Sequence, residues 1–135
     1  MANRKGSRFG ADKLTDISKV EVIFGEIIDA KRGRNNGFSL NTRLQKPPHY
    51  GYMVGLGNDF TTANTPTSDI RYKVAGRFKE AKEHDLYMGG WVHNGEVIVE
   101  NSQWIKGYDA AMACARMNKQ VAIWDLEEDC EVIVK

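Results

Sequence analysis

Two cysteines, three histidines and three prolines are spread over 135 residues, and each scarcity excludes something. Two lone thiols build no disulfide framework. Cys114 falls in a segment of helical pattern and Cys130 in one of strand pattern, so they read as small buried hydrophobes of a reducing compartment. A zinc site needs about four ligands, and His49, His84 and His93 stand at no ligand spacing, so no metal is expected. No apolar run approaches the roughly 20 residues that span a bilayer, and no membrane partner is expected. The opening MANRKGSRFGADKLT carries no apolar segment after its basic start and does not read as a secretory signal. The expected location is the cytoplasm. Catalytic templates are missing too: no nucleophile elbow, no P-loop, no H-E-x-x-H, no kinase set. Gly55-Leu-Gly57 is a fragment of a dinucleotide fingerprint whose third glycine is replaced by Phe60. No cofactor is expected, and recognition is a better reading than catalysis.

What is present is globular: 41% hydrophobic and 27% charged residues, at a length that suits one domain. Formal net charge is +1, but it is polarised. Residues 1–50 hold ten Lys/Arg against five Asp/Glu; residues 51–100 hold five against seven, and residues 101–135 four against six. A basic front and an acidic back suit steering of an anionic partner or self-association.

Residues 1–14 read as a flexible basic arm and 15–135 as one α+β domain. Val20–Ile28 is rich in β-branched residues and predicts a strand, followed by the turn-forming Lys31–Gly37 as a hairpin loop. Phe38, Leu40 and Thr42 alternate with polar residues, and Tyr50–Leu56 reads as a third strand. Ile70, Val74, Phe78 and Ala81 mark one face of a helix over about 67–84, capped by Thr65-Pro66 or Thr67. Asn94-Gly95 between apolar runs predicts a hairpin. A second helix follows over about 107–118 with Asn118 as its C-cap. Val121–Trp124, apolar on both faces, reads as a central strand, and Cys130, Val132 and Val134 alternate on a last one. The predicted order is βββ-α-ββ-α-ββ: a mostly antiparallel twisted sheet with two helices packed on one face.

Candidate binding residues fall in two groups. Arg32, Arg34, Asn35 and Asn36, joined by Arg4, Lys5 and Arg8 of the arm, offer guanidinium forks and a loop whose amides converge on an anion. Tyr50, Tyr52 and Trp104 are the aromatic contact candidates, while Trp91 and Trp124, inside apolar runs, read as core. The acidic run Asp125, Glu127, Glu128, Asp129 and Glu131 reads as a solvated turn.

The C-terminal half, Tyr87-Met-Gly-Gly-Trp91, Asn94-Gly95, Asp109-Ala-Ala111 and Asn118-Lys-Gln-Val-Ala-Ile-Trp-Asp-Leu126, resembles a pattern of small uncharacterised bacteriophage-encoded proteins. Gly37-Phe38 and Gly51-Tyr-Met-Val-Gly55 are similar too, so the resemblance covers about residues 37–126. It implies an origin and a fold unit, with no assigned reaction. The leading expectation is a phage-type accessory protein that inhibits or sequesters a host component, either a protein or a phosphate-bearing ligand. The alternatives are a nucleic-acid-binding protein using arm and aromatics, a virion structural protein, and a small nucleotide-acting enzyme pairing His49 or His93 with Asp59 or Glu96. Under each, Val132–Val134 offers an edge strand for a homo-oligomer.

Overall fold

In the computed structural model, residues 15–135 are described, so Arg4, Lys5 and Arg8 lie outside them. The first element corrects the sequence reading: Asp16–Lys31 is a helix, α1, where its β-branched residues predict a strand. Packing overrides propensity here. Lys19, Ile23, Ile27 and Ala30 recur at helical spacing and form one buried stripe. Thr15 starts the helix by accepting the Ser18 N–H at 3.1 Å, which satisfies one orphan amide of the first turn. Asp16 and Lys31 lie at the ends whose dipole they oppose. Lys31–Gly37 therefore links a helix to a strand and closes no hairpin.

The remaining elements follow the expected order, with one unpredicted two-residue strand, Phe60–Thr61, between the strand read over Tyr50–Leu56 and the next helix. They are β1 (Gly37–Asn41), β2 (Tyr52–Gly55), β3 (Phe60–Thr61), α2 (Thr67–His84), β4 (Tyr87–His93), β5 (Glu96–Ile105), α3 (Tyr108–Met117), β6 (Ala122–Asp125) and β7 (Cys130–Ile133). The buried residues of α2 are Ile70, Val74, Phe78 and Ala81, as the spacing predicts. Its N-cap is Pro66 without a side-chain bond; the Thr65 hydroxyl instead donates to the Thr61 carbonyl at 2.8 Å. Asn118 is the C-cap of α3. Asn94 and Gly95 take φ of 53° and 79°, the left-handed pair that a two-residue hairpin turn requires.

All strand pairs are antiparallel, in the order β1-β4-β5-β2-β6-β7, with β3 also on β5. The fold is α+β, with three helices among the described residues rather than two. Strand β5 carries the sheet: β4 runs along one side, and β2 and β3 share the other. Its alternation places Val97, Val99 and Asn101 on the helix side. Val97 and Val99 join Ile23, Ile27, Val74, Phe78 and Met88 in one core under α1 and α2. Val54, Ala111, Met112, Ala115 and Ile123 form another under α3. The register places Val54 and Val99 on the same face, so all three helices cover one side.

One polar group inside this layer ties helix to sheet. Asn101, fully buried, donates to the Arg77 carbonyl at 3.0 Å and to Glu80 Oε1 at 2.8 Å. Asn58, in the kink between β2 and β3, donates to the same carboxylate oxygen at 2.5 Å, and its carbonyl accepts from Arg77 Nε at 2.8 Å. Two points of the sheet are thereby bolted to one turn of α2. Ile27→Ala is expected to lose about 2–5 kcal/mol of unfolding free energy through the cavity it leaves. Asn101→Ala should lose about 1–3 kcal/mol through the partners it leaves unpaired. Urea denaturation measures both, and an Ile27→Ala variant as stable as the parent contradicts the buried stripe of α1.

Candidate functional site

The opposite face of the sheet carries no helix among the described residues, and what it displays is aromatic. Cross-strand pairing builds one row over three strands, Trp104 on β5, Met53 on β2 and Trp124 on β6. The two indoles flank the thioether, which is left 9% exposed while Trp124 stays 41% exposed; sulfur against a ring edge is a favourable contact. A second row joins Trp91, 42% exposed, to Ile98 and Thr61. Trp91 and Trp124 are thus surface residues, contrary to the core role their apolar runs predict. Ile123 shows why: it turns inward to α3, so its neighbour Trp124 must turn outward.

Between the rows lies a strip floored by Gly89 and Gly55, with Glu100 between them. The Glu100 side chain folds over Gly55, where a Cβ would come within 2.5 Å of its Oε1. Its Oε2 accepts the Gly57 N–H at 3.0 Å. Burial pushes the Glu100 carboxyl above its ordinary range; the Gly57 N–H opposes that shift and the Asp59 charge adds to it. The strand residues that register places on this face include Glu96, Glu100 and Glu131 but no Lys or Arg.

The residues singled out in the sequence are not brought together. Tyr50 and Trp104 do form a pair, edge to face at 5.4 Å, and Trp104 Nε1 donates to the Tyr50 carbonyl at 2.8 Å. Tyr52 faces the other way, half-buried against Tyr108 of α3 with ring centroids 5.8 Å apart. In the Arg32–Asn36 loop the first three amides are already taken. Those of Arg32, Gly33 and Arg34 bond to the carbonyls of Ile28, Ala30 and Asp29, and that of Gly37 to Asn35 Oδ1. Asn35 Nδ2 donates to Glu26 O at 3.3 Å, and Arg34 pairs with Asp29 at 3.4 Å. A helix C-terminus carries partial negative charge, so this loop is a poor anion nest; Arg32 and Asn36 remain exposed.

Asp59, His93 and Glu96 line one shallow hollow of about 450 Å³ at the β4–β5 turn. His49 is not among its walls. Glu96 is held below the usual carboxylate range by the Thr62 hydroxyl at 2.5 Å and by Lys31 at 3.6 Å, which makes it a weak base. Asp125 Oδ1 accepts the amides of Glu127 and Glu128, so the acidic run is a closed turn. Across the sheet's other side, α1 and α2 leave a groove of about 850 Å³ around Ile17, Val20, Tyr72 and Phe78. Two exposed ion pairs, Arg71–Glu21 at 2.8 Å and Lys82–Asp16 at 2.7 Å, span its rim.

No helix of the described residues is long and apolar enough to cross a membrane. No family model matches the chain, nor does any curated protein or solved structure.

Two substitutions test the glycine strip. Gly55→Ala should lose about 1–3 kcal/mol by overpacking against Glu100, and Glu100→Ala in the same chain should recover part of it. The pH dependence is signed by the raised carboxyl of Glu100. Between the ordinary value near 4.5 and the higher folded one, the native state holds the extra proton, so stability falls as pH rises. Glu100→Gln should therefore gain stability over the parent at pH 7, with the gap closing toward pH 4. Thermal denaturation at both pH values decides it, and an equal gap at both refutes the assignment.

Proposed function

We propose that this chain is a non-enzymatic binding protein of the phage accessory type, which docks a host protein on the bare face of its sheet and so inhibits or sequesters it. The observation that carries this reading is the pair of exposed indoles, Trp124 at the end of the Trp104–Met53–Trp124 row and Trp91 on the row beside it. Tryptophans presented on a rigid sheet give large contact area at little entropic cost. The face around them is acidic, which favours a partner surface of apolar groups edged by Lys or Arg, whose cations also stack on indole. A nucleic acid or another phosphate-bearing ligand finds less here, because its phosphates meet the exposed Glu131 and the loop amides of Arg32, Gly33 and Arg34 are occupied.

The test is affinity capture from bacterial lysate, followed by titration of the captured protein against variants. Trp91→Ala and Trp124→Ala should each weaken binding by tenfold or more, consistent with about 2 kcal/mol for a central aromatic anchor. Arg32→Ala with Arg34→Ala should change it less than threefold. A partner that ignores both tryptophans and is lost with the two arginines overturns the protein-docking face and restores the anion-binding loop. A gel shift of DNA or RNA that collapses between low and physiological salt would favour the nucleic-acid reading.

A further inference from the structure

We propose that two copies of the chain join edge to edge through β7, in a register with Ile133 facing the partner's Ile133 across a two-fold axis. This does not depend on the reading of the aromatic face: it concerns the edge of the sheet, where Glu131 borders that face beside Trp124.

Strand β7 ends the sheet, since β6 is its one neighbour among the described residues. Its outward backbone groups follow from the ladder. The Val134 N–H donates to the Val121 carbonyl at 2.9 Å, so Val134, and by alternation Val132 and Cys130, spend their backbone bonds on β6. The N–H and C=O of Glu131 and Ile133 therefore point away from the sheet, as does the N–H of Lys135. An edge of this kind is a template for another strand. It is rich in β-branched residues, with Val132, Ile133 and Val134 in succession and Ile133 61% exposed.

Charge selects the register. A two-fold normal to the sheet keeps the helices of both copies on one side, and the ladder allows it to stand at Glu131, Val132 or Ile133. Placing it at Val132 sets Glu131 against the partner's Ile133 and leaves both carboxylates without a cation. Placing it at Glu131 sets that carboxylate against the partner's Glu131, and like charges directly opposite are destabilising. Placing it at Ile133 sets Glu131 against the partner's Lys135 twice over. It also sets Val132 against the partner's Val134 on the helix side, where Val132 and Val134 already pack on the α3 core. Arg116 Nη1 donates to the Lys135 carbonyl at 3.1 Å and holds the strand's end in line. The joined sheets make one continuous surface, with both aromatic faces on the same side.

The experiment measures mass by sedimentation equilibrium on the purified chain. The parent should reach about 30 kDa, twice the 15.2 kDa of the chain, at tens of micromolar. Ile133→Pro removes an outward N–H that no bond among the described residues uses, so it should stay folded by circular dichroism and weaken the dimer at least tenfold. Glu131→Lys and Lys135→Glu should each weaken it severalfold, and the double exchange should restore it to within about threefold of the parent. A parent that remains a monomer at several hundred micromolar overturns the proposal. So does a dimer indifferent to Ile133→Pro, and so does a double exchange no tighter than the singles, which removes the register.

Discussion

A β-strand sends successive side chains to opposite faces, and in this protein the ten residues of β5 impose that rule on the whole sheet. Because β4, β2 and β3 all pair with it, its register decides which face every neighbour shows. Val97, Val99 and Asn101 go to the helices, and Ile98, Glu100 and Trp104 go to the other side. A slip of one residue would place Glu100 in the core and Val99 in water. The core under α1 and α2 thus fixes the aromatic face it never touches.

The layer is secured by more than apolar contact. Hydrophobic burial is non-directional, so it brings α2 down on the sheet without fixing where along the strands it rests. The Glu80 carboxylate supplies that address by accepting from Asn58 and Asn101 together. Asn58 is in the kink that separates β2 from β3, so the same contact holds the bend that brings the Gly57 N–H onto Glu100. A polar cluster on the covered side and a buried carboxylate on the bare side are therefore two ends of one constraint. Gly55 completes it by leaving the room over which the Glu100 side chain folds.

The elements with strong local signals were legible from sequence. The stripe of α2, the Asn94-Gly95 turn and the inward Val132 and Val134 of the last strand each depend on short-range spacing and are found where it puts them, while Cys130 of the same alternation is exposed. The segment from 20 to 28 was not, because its valines and isoleucines carry strand propensity while its four-residue recurrence, Lys19-Ile23-Ile27, marks a helix. Only the core it packs against decides between the two. That error propagated: with a strand before it, Lys31–Gly37 reads as a hairpin loop with free amides, whereas after a helix those amides close the C-terminus. The outward aim of Trp91 and Trp124 escapes the sequence for a different reason. An apolar run resembles a strand buried on both faces, and nothing local reveals that helices cover only one face of this sheet. The inward Ile123 beside Trp124 was the available clue. Strand order was illegible, since β2 meets β6 across some seventy residues of chain.

The account rests on one face of the sheet being open in the free protein, and oxidative footprinting read by mass spectrometry tests that most directly. Brief hydroxyl-radical exposure should modify Trp91 and Trp124 well ahead of Met88, which the helices seal, despite the high intrinsic reactivity of methionine. Met88 oxidised as fast as the two indoles, or indoles protected in the isolated chain, would mean that the face described as bare is the covered one.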